Sequence, residues 1–113
     1  MVIIKNLTPH DITIRGAMGD TVLPGAGKDG SARVSVSETV FGDINGIPVV
    51  KLVYGDIVGL PEPEDGTIYL VSAMVLGRTD RRGIDVFGPD TGSTAIRNDK
   101  NQIIAVTRLS AGE

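Results

Sequence analysis

Arg78, Arg81 and Arg82 place three arginines within five residues, the sharpest charge cluster in the chain. A guanidinium is a planar fork of N–H donors that matches phosphate or carboxylate oxygens two at a time. Downstream come Gly88, Gly92, Ser93 and Thr94. Glycine-loop N–H groups and hydroxyls of this kind complete an anion site. A nucleobase asks for a π-face or an arginine plane. Three of the four aromatics, Phe41, Tyr54 and Phe87, directly precede a glycine. That spacing predicts aromatics at strand ends, near a rim where ligands bind. The candidate ligand-binding set is therefore Arg78, Arg81, Arg82, Tyr54, Phe87, Ser93 and Thr94. The competing reading is a solvated or ion-paired arginine loop, with the aromatics plugging the ends of a barrel.

Catalysis finds less to work with. The only histidine, His10, falls in a turn, and no G-x-S-x-G surrounds Ser93. The chain has no cysteine, which excludes disulfides, Cys-ligated zinc and iron–sulfur clusters. One histidine leaves no histidine-rich metal site. Asp80, Asp85 and Asp90 have no ligand spacing, and Glu62, Glu64 and Asp65 read as a solvated loop stiffened by Pro61 and Pro63. Gly25 to Gly30 is not a phosphate loop of the Walker type: Asp29 stands where Ser or Thr should follow the lysine, and Val22 where the first glycine belongs. It reads as a flexible hairpin loop. We expect no catalytic residue, no metal and no cofactor.

A net charge of −3 and a pI near 5.0 argue against a duplex nucleic acid partner. The start Met1-Val2-Ile3-Ile4-Lys5 lacks a leader pattern. The longest apolar run, residues 68–76, is far below the roughly 18 residues of a spanning helix. No membrane partner and a cytoplasmic location are expected.

The scaffold reads as mainly β, with 15 glycines in 113 residues. Residues 1–113 are expected to form a single compact β-rich domain, with 110–113 frayed. Met1–Lys5 and Ile12–Arg15 should pair, and Thr21–Leu23 is a further strand. Residues 31–37 alternate strictly, with Ala32, Val34 and Val36 on one face. Thr67–Val71 is the best candidate for the centre of a sheet. Ser72 can cap, and Gly77 can close, a short helix over 72–77; strand continuation is the alternative. Residues 94–109 read as a terminal hairpin. The expected fold is a small antiparallel sheet, curled as a barrel or folded as a sandwich.

One phrase occurs twice. Phe41-Gly42-Asp43-Ile44-Asn45-Gly46-Ile47-Pro48 returns thirteen residues later as Tyr54-Gly55-Asp56-Ile57-Val58-Gly59-Leu60-Pro61, identical at five of eight positions. We expect two equivalent strand ends and turns, joined by a short strand at Val49–Val53. They serve either as one turn used twice, or as paired loops facing a common site or subunit neighbour.

Asn6-Leu7-Thr8-Pro9-His10-Asp11, the strand Ala32–Ser37, Gly46-Ile47-Pro48-Val49, and Gly59-Leu60-Pro61-Glu62-Pro63 with Gly66-Thr67-Ile68-Tyr69-Leu70-Val71-Ser72 together resemble a family of small phage- and prophage-associated proteins. The chain departs from it at Arg81-Arg82-Gly83, where the family is acidic. The family's motifs name no activity; what the resemblance implies is a setting. Small phage proteins without catalytic motifs include sponges, which sequester cyclic dinucleotides or cyclic ADP-ribose derivatives as homo-oligomers with pockets between subunits. The implied function is a non-enzymatic anti-defence sponge in the bacterial host cytoplasm, binding a small phosphorylated nucleotide. The alternatives are a minor structural or assembly protein of the phage particle, and a phosphodiesterase using Asp80 or His10.

Overall fold

The computed structural model describes residues 2–113. In chain order the elements are β1 (Ile3–Asn6), β2 (Ile12–Gly16), β3 (Gly19–Leu23), α1 (Gly27–Gly30), β4 (Arg33–Ile44), β5 (Ile47–Val58), β6 (Thr67–Leu70), α2 (Ala73–Leu76), β7 (Val86–Pro89), β8 (Ile96–Arg97), β9 (Ile103–Ala105) and β10 (Leu109–Ser110). The chain is mainly β, 49% strand and 7% helix, in small sheets. No closed barrel forms among the described residues.

The body is built on a four-stranded sheet in the order β1-β6-β7-β10. β6 is central, as its apolar run predicts, and it is parallel to both neighbours. Antiparallel β10 closes the far edge. The pairing expected between the first two strands does not form: β2 pairs with β3, and β1 with β6. The Asn6 side chain explains the turn between them. Its Nδ2 donates to the carbonyls of His10 and Leu23, both at 2.9 Å, and its Oδ1 accepts from the N–H and hydroxyl of Thr8. Asn6 is buried, so every one of these groups needs its partner. The loop expected after Pro24 is pinned rather than flexible. Gly25 donates to the Asp11 carboxylate, and a Cβ there would lie 2.5 Å from the His10 backbone, so only glycine fits.

The short helix forms as its cap predicts, with Ser72 Oγ accepting from the Val75 N–H. Gly77 ends it with φ −69°, not in the left-handed region expected of a C′ glycine. Val71, Val75, Leu76, Val86 and Ala32 form the core between helix and sheet. In the tail, Ser110 pairs with Gly88, and the Glu113 carbonyl accepts from Arg82 Nε. No helix among the described residues is long and apolar enough to cross a membrane.

The repeat is resolved differently from its expected form. β4 and β5 are twelve residues each and make one long hairpin arm. Asn45 (φ 53°) and Gly46 (φ 82°) supply the two left-handed residues of a tight hairpin turn. The first copy of the phrase is the arm's tip and the second its root, so the copies are not equivalent. Register shifts fall at Phe41, between Val40 and Gly42, and at Ser35, where Gly55 and Asp56 together oppose the one residue. The aromatic-glycine pairs thus mark bulges and close approaches within strands, rather than strand ends. A Cβ on Gly55 would meet Ser35 Oγ at 2.5 Å, and one on Gly88 the Val71 carbonyl at 3.2 Å.

Leu70 is fully buried and Met18 fully exposed. Leu70→Ala is expected to cost about 2–5 kcal/mol in urea unfolding, and Met18→Ala no more than about 0.5 kcal/mol.

Candidate functional site

The three arginines share a loop but not a task. Arg81 is a structural bolt. Its Nη2 and Nε reach the Asp85 carboxylate at 2.6 and 3.0 Å, and its Nη1 donates to the Pro61 carbonyl at 2.8 Å. Its guanidinium also lies over the ring of buried Tyr69, 5.9 Å from the centroid. It therefore ties the proline-rich loop to the start of β7 and to β6. The hydrogen bonds from Arg81 hold the Asp85 carboxyl below the usual carboxylate range, against the opposing effect of burial. Arg82 is spent on backbone: it donates to the carbonyls of Thr79, Gly77 and Glu113. To bind phosphate, either residue would first have to break these contacts.

Arg78 is different. It leaves the end of α2, whose last turn accepts its N–H at Val75, and its side chain is exposed. The guanidinium stacks over the Tyr54 ring, 4.5 Å from the centroid, and makes no ion pair among the described residues. Tyr54 sits on β5 opposite Val36, at the root of the arm. The adjoining bulge turns Gly55 and Asp56 toward the loop after α2. The result is an open groove of about 400 Å³ lined by Gly55, Asp56, Ile57, Arg78, Thr79 and Asp80. One guanidinium and two carboxylates face it. The arginine plane can pair with an anion or lie against a π-system. The carboxylates can accept from hydroxyls or base N–H groups.

The remaining expected residues lie elsewhere. Phe87 is half-buried inside β7, level with Leu70 on β6, and not at a rim. Ser93 is exposed in the loop before β8, and Thr94 is half-buried with an unpartnered Oγ1. Neither lines the groove. The structure thus brings together Arg78 and Tyr54 from the expected set. It adds Asp56 and Asp80, which the reading for anion binding passed over. The signal for Asp56 was the repeated Gly-Asp. His10 is exposed, and its carbonyl, not its ring, is engaged, accepting from Asn6 and Thr8.

Comparison with protein-family models, with curated proteins and with solved structures yields no match.

Asp85 has its folded-state carboxyl pKa depressed, so its contribution to stability is full above the unfolded value of about 3.9 and is lost as pH falls through the folded value. Asp85→Asn is expected to cost about 1–3 kcal/mol at neutral pH. The gap between wild type and variant should close as unfolding is measured at successively lower pH below about 4. A gap that persists unchanged at low pH would contradict a role for the ion pair.

Proposed function

We propose that this chain is a non-enzymatic binding protein that sequesters a small phosphorylated nucleotide at the arm's root, as a homo-oligomer in which a second copy closes the open groove. The observation that carries this reading is Arg78, exposed, without an ion pair and already stacked on Tyr54. A base can extend the stack, and the guanidinium edge remains available to phosphate oxygens. Asp56 and Asp80 suit ribose hydroxyls or the N–H edge of a base. Two carboxylates beside one guanidinium leave the groove net negative, so further cationic or neutral donors from a neighbouring copy are part of the reading. The resemblance to small phage and prophage proteins supplies the setting of an anti-defence sponge for cyclic dinucleotides or cyclic ADP-ribose derivatives in the host cytoplasm. A particle assembly protein is the second reading, favoured by the apolar side chains exposed along the arm; it predicts cosedimentation with particles and no nucleotide ligand.

The test is incubation with a panel of cyclic dinucleotides and cyclic ADP-ribose isomers, followed by filtration and heat release. A ligand depleted and recovered intact supports sequestration. Ligand recovered altered indicates a phosphodiesterase, and no depletion across the panel contradicts nucleotide binding. Arg78→Ala should weaken binding about 10- to 100-fold, the loss of one charge-assisted contact, and should leave the urea midpoint unchanged.

A further inference from the structure

The groove at the arm's root is lopsided in what it offers a ligand. Its polar side chains are the Arg78 guanidinium, the Asp56 and Asp80 carboxylates and the Thr79 hydroxyl. Thr79 is buried, and its Oγ1 already accepts from the Arg81 N–H. Asp56 and Asp80 are both exposed. Unlike Asp20, Asp85 and Asp90, neither makes an ion pair or accepts a hydrogen bond among the described residues. Arg78 pairs with neither of them, although all three line the groove; its plane lies on Tyr54 instead. An ionised carboxylate accepts hydrogen bonds and donates none. Beyond the guanidinium, the groove's free side chains therefore ask a ligand for donors and offer it none. Its volume of about 400 Å³ is near the lower end for ligand sites, so one groove takes one base and its sugar rather than a whole dinucleotide.

Resting on the nucleotide-binding reading of this groove, we propose that the base it selects is guanine. A base on the outer face of the Arg78 guanidinium continues the stack begun on Tyr54. Phosphate is drawn to Arg78 and repelled by the two carboxylates. The guanidinium edge therefore fixes the phosphate end, and the hydrogen-bonding edge of the base turns toward Asp56 and Asp80. The bases differ at that edge. Guanine presents two adjacent donors, N1–H and the N2 amine, which the two oxygens of one carboxylate accept side by side. Adenine sets its N6 amine beside N1, whose lone pair then faces a carboxylate oxygen. Cytosine sets its N4 amine beside the N3 lone pair in the same way. Uracil puts its one donor, N3–H, between two carbonyls. Only guanine meets the acceptor wall without turning a lone pair on a negative oxygen. A site built for one hydrogen-bonding pattern rejects another because its own groups are left unpaired. The second carboxylate remains free for a ribose hydroxyl. The ligand class narrows accordingly to guanine-bearing cyclic nucleotides, and cyclic ADP-ribose derivatives, whose base is adenine, are disfavoured.

The test is equilibrium dialysis of the full chain against cyclic di-GMP, its inosine analogue cyclic di-IMP, and cyclic di-AMP. The inosine analogue keeps N1–H and lacks only the 2-amino group. Cyclic di-GMP should bind about 10-fold or more tighter than cyclic di-AMP, with cyclic di-IMP between them. Substitution by asparagine then asks whether a carboxylate is the reader. An asparagine amide carries one acceptor and one donor, the complement of adenine's edge. Either Asp56→Asn or Asp80→Asn should therefore reverse the order toward cyclic di-AMP. The urea midpoint should not move, because neither side chain has a partner in the fold. Equal binding of the three ligands, tighter binding of cyclic di-AMP by the wild type, or a guanine preference that both variants keep would each overturn the guanine assignment and leave nucleotide binding standing. Binding of none of the three would overturn it as well, and the cyclic ADP-ribose isomers would then decide whether nucleotide binding survives.

Discussion

Val34 and Ile57 are where the core stops. Inside them, Val71, Val75, Leu76, Val86 and Ala32 close on one another between α2 and the central sheet. Outside them, the same strands continue to the turn at Asn45-Gly46 with no further strand paired to them among the described residues. Burial of apolar surface is the main favourable term in folding, at about 25 cal/mol per Å². Ordering each residue of a strand costs on the order of 1–2 kcal/mol of backbone entropy. A long arm that leaves Val36, Val40, Leu52 and Val53 half or more exposed, or nearly so, forgoes most of that return. Most of the arm's apolar side chains are therefore left to solvent in the single chain.

The arginine loop depends on the same boundary. Arg81 and Arg82 fasten the segment after α2 to the Pro61 loop, to Asp85 and to the chain's last residues. With those two spent on internal contacts, the third, Arg78, is held at a fixed place on the arm's root. Its exposed guanidinium over Tyr54 is a consequence of that anchoring. The groove is therefore bounded on one side by rigid body and on the other by the arm. Anything that covers the arm also changes what the groove admits.

Local features were legible in the sequence and long-range ones were not. Ser72 announced the helix, the apolar run at Thr67–Val71 announced the central strand, and the alternation from Ala32 to Val36 announced β4. Each is decided by neighbours a few residues apart. The parallel pairing of β1 with β6 joins segments some sixty residues apart, and no periodicity encodes it. The arm's length was readable in principle, because Asn-Gly between Ile44 and Ile47 is a strong hairpin signal. The repeated phrase suggests two separate turns instead, whereas its first copy holds the hairpin turn and its second lies at the arm's root. Among the arginines, sequence spacing showed a cluster but could not show which guanidinium Asp85 would occupy. Phe87 precedes a glycine like Tyr54 does, yet Gly88 serves close packing against Val71 and Leu76, so its neighbour lies inside the sheet rather than at a site.

The most direct measurement of the groove's role is amide hydrogen exchange with and without a nucleotide that the protein depletes from solution. Sequestration at the groove predicts that exchange slows at residues 54–57 and 78–80 and is unchanged at the arm's tip. Protection confined to any other part of the chain would place the ligand elsewhere and contradict the Arg78–Tyr54 groove as the site.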